Sequence, residues 1–185
     1  MTTNWLLGDR HSLASDRILD IAGRCFADKG VSATSIADIA RAAGCSRPTV
    51  YRYFEDGAHL RIAYVHREAR RLGARVLDSL DGISDPRERL VAAVQAAVRG
   101  VRSDPILSAW FAGENSTVAS YLGANSVVIE SLALSMVEGA GGTERELRAK
   151  WLVRVVLGLL LVPADDEETE RILLEKFVAP VVAGE

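Results

Sequence analysis

Arg47, Thr49, Tyr51, Arg52 and Tyr53 place two guanidinium groups and three hydroxyls within seven residues of one another. An arginine can donate bidentately to guanine O6 and N7, and a threonine can meet a thymine methyl group or a phosphate. Tyrosine hydroxyls reach flanking phosphates, which fixes register without reading sequence. Together these groups have the chemistry needed to read duplex DNA, provided that a short helix presents them on one face. The preceding residues supply such a helix. Ser35 with Asp38 is a capping box that opens one helix at Ile36. Ile36, Ile39, Ala40 and Ala43 give that helix an apolar face. Gly44 supplies a left-handed turn. Ser46 then caps the next helix, with Pro48 in its first turn, where a missing N–H does no harm. Ala40 is small enough for a close crossing, and Val50 is placed to face the joint. This is the order of parts in a helix-turn-helix, whose second helix enters the major groove.

With those residues in view, positions 15–60 resemble the DNA-binding domain of TetR-type transcriptional repressors. The resemblance is carried by Ile18-Leu19 with Ala22 and Phe26, then Gly30, Thr34-Ser35, Ile39-Ala40 and Ala43-Gly44. It continues through Ser46, Thr49-Val50-Tyr51 and Tyr53-Phe54. The expected DNA-binding set is Thr34, Ser35, Cys45, Ser46, Arg47, Pro48, Thr49, Tyr51, Arg52 and Tyr53. One departure stands out: Gly57 occupies a position where the family often carries a phosphate-binding lysine. Arg61, one turn on, is the candidate substitute.

The chain has 22 Lys+Arg and 25 Asp+Glu, unevenly placed. Residues 1–75 carry 12 basic and 8 acidic side chains, leaving 10 and 17 in the remainder. That asymmetry suits a DNA-facing end and a body that repels DNA. Cys25 and Cys45 have no partner at metal-ligand spacing and read as reduced thiols, with Arg47 near Cys45 the sole hint of redox chemistry. Neither a metal nor a cofactor is expected. Trp5-Leu6-Leu7 is too short a run for an export signal, so a cytoplasmic protein is expected. The first dozen residues read as a loose arm, with Arg10 a candidate minor-groove contact.

The remaining pattern is all-α, with no alternating strand runs. A first helix over 12–29 braces the helix-turn-helix. A long one over 57–80 follows, with Leu60, Val65, Ala69, Leu72, Val76 and Leu80 inward and several arginines outward. Further helices are expected from Pro86 to Arg102, over 106–111 and over 115–137, before the loop at 139–142. Residues 1–56 are thus expected to be the DNA-binding domain, and 57–185 a helical effector-binding and dimerisation domain.

From Trp151 to Val162 only Arg154 and Gly158 are not apolar. Twelve residues cannot span a bilayer, so no membrane partner is expected, and a helix apolar all round must be buried all round. One side can meet its own core and the other a second subunit. A homodimer interface is therefore expected at Trp151, Val155, Leu159, Val162, Ile172, Leu173 and Phe177. A dimer also suits the chemistry, because two recognition helices one DNA turn apart read a palindrome that one short helix cannot. The resemblance implies a small-molecule effector as the second partner, in a pocket assigned to Trp110, Phe111, Tyr121, Asn125 and Trp151. An enzyme is not expected: His11, His59 and His66 have no nucleophile motif or phosphate loop beside them. The rival reading is a helical small-molecule carrier whose DNA binding is weak or lost.

Overall fold

The computed structural model describes residues 5–184, with side chains from Ser12 onward. The described residues are helical and contain no strand. They divide into two compact units, residues 1–64 and 65–185. The division falls about two turns inside the fourth helix.

In the first unit, α1 spans Trp5–Lys29, α2 Ile36–Ala42 and α3 Arg47–Tyr51, and α4 begins at Gly57. Helix α1 starts at Trp5, so the segment read as a loose arm is helical from there. The Arg10 and His11 readings lie outside the described side chains. Ile18, Leu19, Ala22 and Phe26 of α1, Ile39 and Ala40 of α2, and Val50 of α3 close around one core. Leu60 and Tyr64 of α4 complete it. The Tyr64 ring meets Phe26 edge-on, with centroids 5.4 Å apart. It also lies over Gly23, where an added Cβ would come within 2.8 Å of the ring. Gly23 is thus the cleft in α1 that lets Tyr64 approach.

Thr34 is only 5% exposed. Its hydroxyl donates to the carbonyls of Gly30 (2.7 Å) and Cys25 (3.1 Å), at the end of α1. Gly30 O also accepts from Thr34 N at 3.2 Å, so the hydroxyl adds a second bond to a turn already closed by the backbone, and a buried hydroxyl without partners would be costly. Thr34→Val is therefore expected to lower the stability of this unit by about 1–2 kcal/mol. Chemical denaturation should show a lower midpoint with an unchanged slope.

In the second unit, α4 ends at Ser79. It is followed by α5 (Pro86–Arg102), α6 (Pro105–Ser108) with a 3-10 turn at Ala109–Phe111, and α7 (Asn115–Ala124). Then come α8 (Val127–Leu134), α9 (Gly142–Leu161), α10 (Glu167–Phe177) and α11 (Ala179–Val182). Asp85, Asp104, Ser126 and Asp166 cap α5, α6, α8 and α10 in turn. The single helix expected over 115–137 is two helices, bent by 58°. Asn125 donates to the Tyr121 carbonyl (2.7 Å), and the Ser126 hydroxyl accepts from Ile129 N (3.2 Å). Local bonds of this kind compete with the helix ladder and end it. No single described helix is long and apolar enough to cross a membrane.

The core of this unit joins Leu90, Val91, Val94 and Val98 of α5 with Ala149, Leu152 and Val153 of α9. Leu174 of α10 and Val182 of α11 belong to the same cluster. Glu170 of α10 is also buried, at 3% exposure. It accepts a hydrogen bond from Arg102 Nη1 at 2.8 Å, while Arg102 Nη2 donates to the Leu159 carbonyl at 2.8 Å. One guanidinium thereby ties the ends of α5 and α9 to the first turn of α10, and leaves the buried carboxylate paired, as burial requires.

Candidate nucleic-acid interface

The helix-turn-helix forms from short-range bonds. Ser35 Oγ accepts from Asp38 N (3.2 Å), and Asp38 Oδ2 accepts from Ser35 N (3.1 Å), completing the capping box. Gly44 adopts φ +65°, the left-handed turn between α2 and α3. Ser46 Oγ accepts from Thr49 N (3.3 Å), and Pro48 lies in the first turn of α3. Val50, fully buried, pins α3 against α2.

This framework leaves Arg47, Pro48, Tyr51 and Arg52 exposed on α3 and just after it. Among the described residues, Arg47 and Tyr51 have no side-chain hydrogen bond. Arg52 lies over the Tyr53 ring, 5.2 Å from its centroid, and donates to the Tyr53 hydroxyl at 3.3 Å. These two side chains form a stacked pair. Ser46 and Thr49 share a hydroxyl contact of 2.8 Å.

Other members of the expected set have different work. Thr34 is buried as described above, so its side chain is not a surface contact. The Ser35 hydroxyl donates to Asp38 (2.6 Å), and Cys45 is half-buried. Cys25 is half-buried too, and burial pushes its thiol up, away from the thiolate that redox chemistry needs.

Two further features of this unit were not read from the sequence, the first because it is long-range and the second although it is a bond between residues three apart. Lys29 Nζ lies 2.6 Å from Asp38 Oδ1, and Arg41 Nη1 lies 3.2 Å from the same oxygen. The Lys29 contact, then the Ser35 hydroxyl and amide, hold the Asp38 carboxyl far below the usual carboxylate range. A carboxyl depressed in the folded state stabilises the fold above its unfolded value of about 4, and that contribution is lost as pH falls below it. Asp38→Asn should therefore be less stable than the parent at pH 7, with the difference shrinking under acid. Thermal melts at pH 7 and pH 3 check this. The second feature is at the start of α4. Asp56 accepts from His59 N (2.8 Å), and the His59 ring lies between Glu55 (3.6 Å) and Asp56 (3.2 Å). The Arg61 guanidinium lies 3.5 Å from the point a Cβ at position 57 would occupy.

The residues expected to line an effector pocket do not share one setting. Trp110 is buried at 4% and Phe111 half-buried, whereas Tyr121, Asn125 and Trp151 are exposed. The latter three lie on the surface of the single chain. The residues expected at the dimer interface are exposed or half-exposed in the single chain. Val162 reaches 76% and Phe177 65%.

Fold and site together define a helix-turn-helix DNA-binding transcriptional regulator. The model for bacterial regulatory proteins of the tetR family matches residues 18–64. An HTH-type transcriptional regulator of Mycobacterium tuberculosis is 41% identical over 183 residues, covering 97% of this chain and 91% of that protein. The chain belongs to the TetR family. Among solved structures, the fold is similar to that of RolR in complex with resorcinol, with a TM-score of 0.66 and 17% identity. That match covers 96% of this chain and 91% of RolR. It is also similar to the TetR family repressor AlkX from a Dietzia strain, implicated in n-alkane biodegradation, with a TM-score of 0.64 and 19% identity. There the shares are 90% and 96%. The relatives are transcriptional regulators rather than enzymes.

Proposed function

We propose that this protein is a repressor that binds a palindromic operator as a homodimer and is released by a small, largely apolar effector. The observation that carries the reading is the pairing of two surfaces in one chain. One is the exposed Arg47 and Tyr51 on a doubly capped helix-turn-helix. The other is the set of exposed apolar side chains on α9, just after it and on α10: Trp151, Leu161, Val162, Ile172, Leu173 and Phe177. Large apolar side chains left open in this number call for a partner, and a second copy supplies the second recognition helix that a palindrome needs.

Arg47 reads a base in each half-site, and Tyr51 with the Arg52–Tyr53 pair holds phosphates. Arg61 supplies the cation at the start of α4 that Gly57 does not. Residues 1–56 are the DNA-binding part, with α4 continuing into the effector and dimerisation part. An apolar effector suits a unit whose described buried polar residues, Ser126 and Glu170, are both already hydrogen-bonded, although Arg148 Nη1 is buried there without a hydrogen bond among the described residues. RolR's resorcinol and AlkX's link to n-alkanes are consistent with small carbon-rich effectors on this fold. Trp110 and Phe111 are the aromatic pair assigned to the effector pocket's wall. As a regulator of the bacterial type that meets DNA, it works in the cytoplasm.

Genomic DNA captured by the purified dimer identifies the operator, and a palindromic consensus is the expected result. An effector must then weaken operator binding by the same factor by which operator weakens effector binding. Unequal factors, or captured DNA with no consensus, would overturn the reading.

A further inference from the structure

The homodimer proposed above leaves open how the two copies meet, and the exposed face of α9 carries a pattern that decides it. Leu147, Trp151, Arg154, Gly158 and Leu161 follow one another at spacings of four, three, four and three, and all five are exposed. This is the a/d seam of two heptads, the spacing that seats one helix against another. The core-facing residues of the same helix are Ala149, Leu152 and Val153.

The seam is uneven. Trp151 presents an indole that is 46% exposed. Gly158, seven residues on, is open: an added Cβ would meet no atom within 4 Å. Glycines inside other helices of this unit are filled. Leu132 is seated on Gly73, Leu72 on Gly100 and Leu157 on Gly123, each within 3 Å of an added Cβ. A glycine inside a helix costs about 1 kcal/mol relative to alanine, which a close contact can offset. At Gly158 that contact is missing from the single chain.

We propose that the notch at Gly158 is filled by Trp151 of a second copy, the two α9 helices lying antiparallel about a twofold axis between Arg154 and Val155. Knob and notch are equidistant from that point, so one rotation seats both tryptophans at once, as an isologous contact requires. The same register sets Leu147 opposite Val162, pairing two more exposed apolar side chains. It also brings the start of α9, with exposed Arg145, toward the acidic turn Asp165-Asp166-Glu167-Glu168 that follows α9 in the second copy. Arg154 is the charged residue of each copy's seam. Because the axis passes beside it, the two guanidiniums are near one another, a repulsion relieved by both lying at the solvent rim, where each is exposed in the single chain. Arg154 Nη1 donates to the Lys150 carbonyl of its own helix at 2.9 Å, so it remains hydrogen-bonded when the seam closes.

The test is a double-mutant cycle on the full chain, with dimer dissociation followed by sedimentation. Gly158→Leu fills the notch and is expected to weaken dimerisation about tenfold or more. Adding Trp151→Ala removes the clash, so the double variant should return to within about threefold of Trp151→Ala alone. As a second readout, copies carrying Trp151→Cys mixed with copies carrying Gly158→Cys should form a disulfide-linked dimer under mild oxidation. Neither variant should do so alone, with the parent chain as control for Cys25 and Cys45. If Gly158→Leu leaves the dissociation constant unchanged, or Gly158→Cys links to itself, this register is wrong while the dimer stands. A parent chain that stays monomeric at every concentration would instead remove the dimer reading itself.

Discussion

Arg47→Ala is expected to lower operator affinity by about 1–3 kcal/mol and to relax base preference at one position in each half-site. The expectation rests on a contrast within α3 and the residue after it. Arg52 is already engaged, stacked on Tyr53 and bonded to its hydroxyl. Arg47 is exposed and, among the described residues, has no hydrogen-bonding partner, so its fork is available for a bidentate contact. Tyr51→Phe removes one phosphate donor and should weaken binding about equally across sequences. Binding-site selection with the two variants checks the assignment. An unchanged base profile for Arg47→Ala would place base reading elsewhere.

Phe177→Glu is expected to have the larger effect, converting the protein to monomers and lowering specific DNA affinity toward the non-specific level, about a thousandfold or more. Phe177 is 65% exposed, so a charge there costs little within one chain. In a twofold dimer the charge is buried twice with no partner, at several kcal/mol each. Leu159→Glu is a less clean probe, because Leu159 is partly buried against the core of its own unit. Circular dichroism should therefore show Phe177→Glu folded, while sedimentation shows it monomeric. A folded dimer of unaltered operator affinity would refute the interface.

The Trp110 result sharpens what an effector test can read. At 4% exposure, Trp110→Ala removes a core side chain and should cost about 3–5 kcal/mol of stability. Loss of effector response in that variant would not separate a pocket wall from a core residue. Phe111, half-buried in the same turn, is the better position for that substitution.

The sequence by itself determined the helix-turn-helix, the family and the all-α class. The physical reason is range. The caps at Ser35 and Ser46 are bonds between residues three apart, and the turn at Gly44 depends on the conformational freedom of one residue. Such interactions are written in adjacent letters, and so is the apolar spacing that marks α1, α4 and α5. Tertiary structure decided what lies across the chain. Thr34 has a hydroxyl suited to DNA, yet it folds back on the end of α1, where the Gly30 and Cys25 carbonyls accept the proton that burial would otherwise leave unpaired. Lys29 meets Asp38 nine positions away only because α1 and α2 are packed together. Gly23 has its role only once Tyr64 is seated on it. Trp110 and Trp151 are alike as letters, but one is buried and the other open, since burial depends on which helix covers each. Gly158 read as an interruption of an apolar run. It became a notch only when the fold turned that face of α9 outward and left nothing in the same chain to fill it.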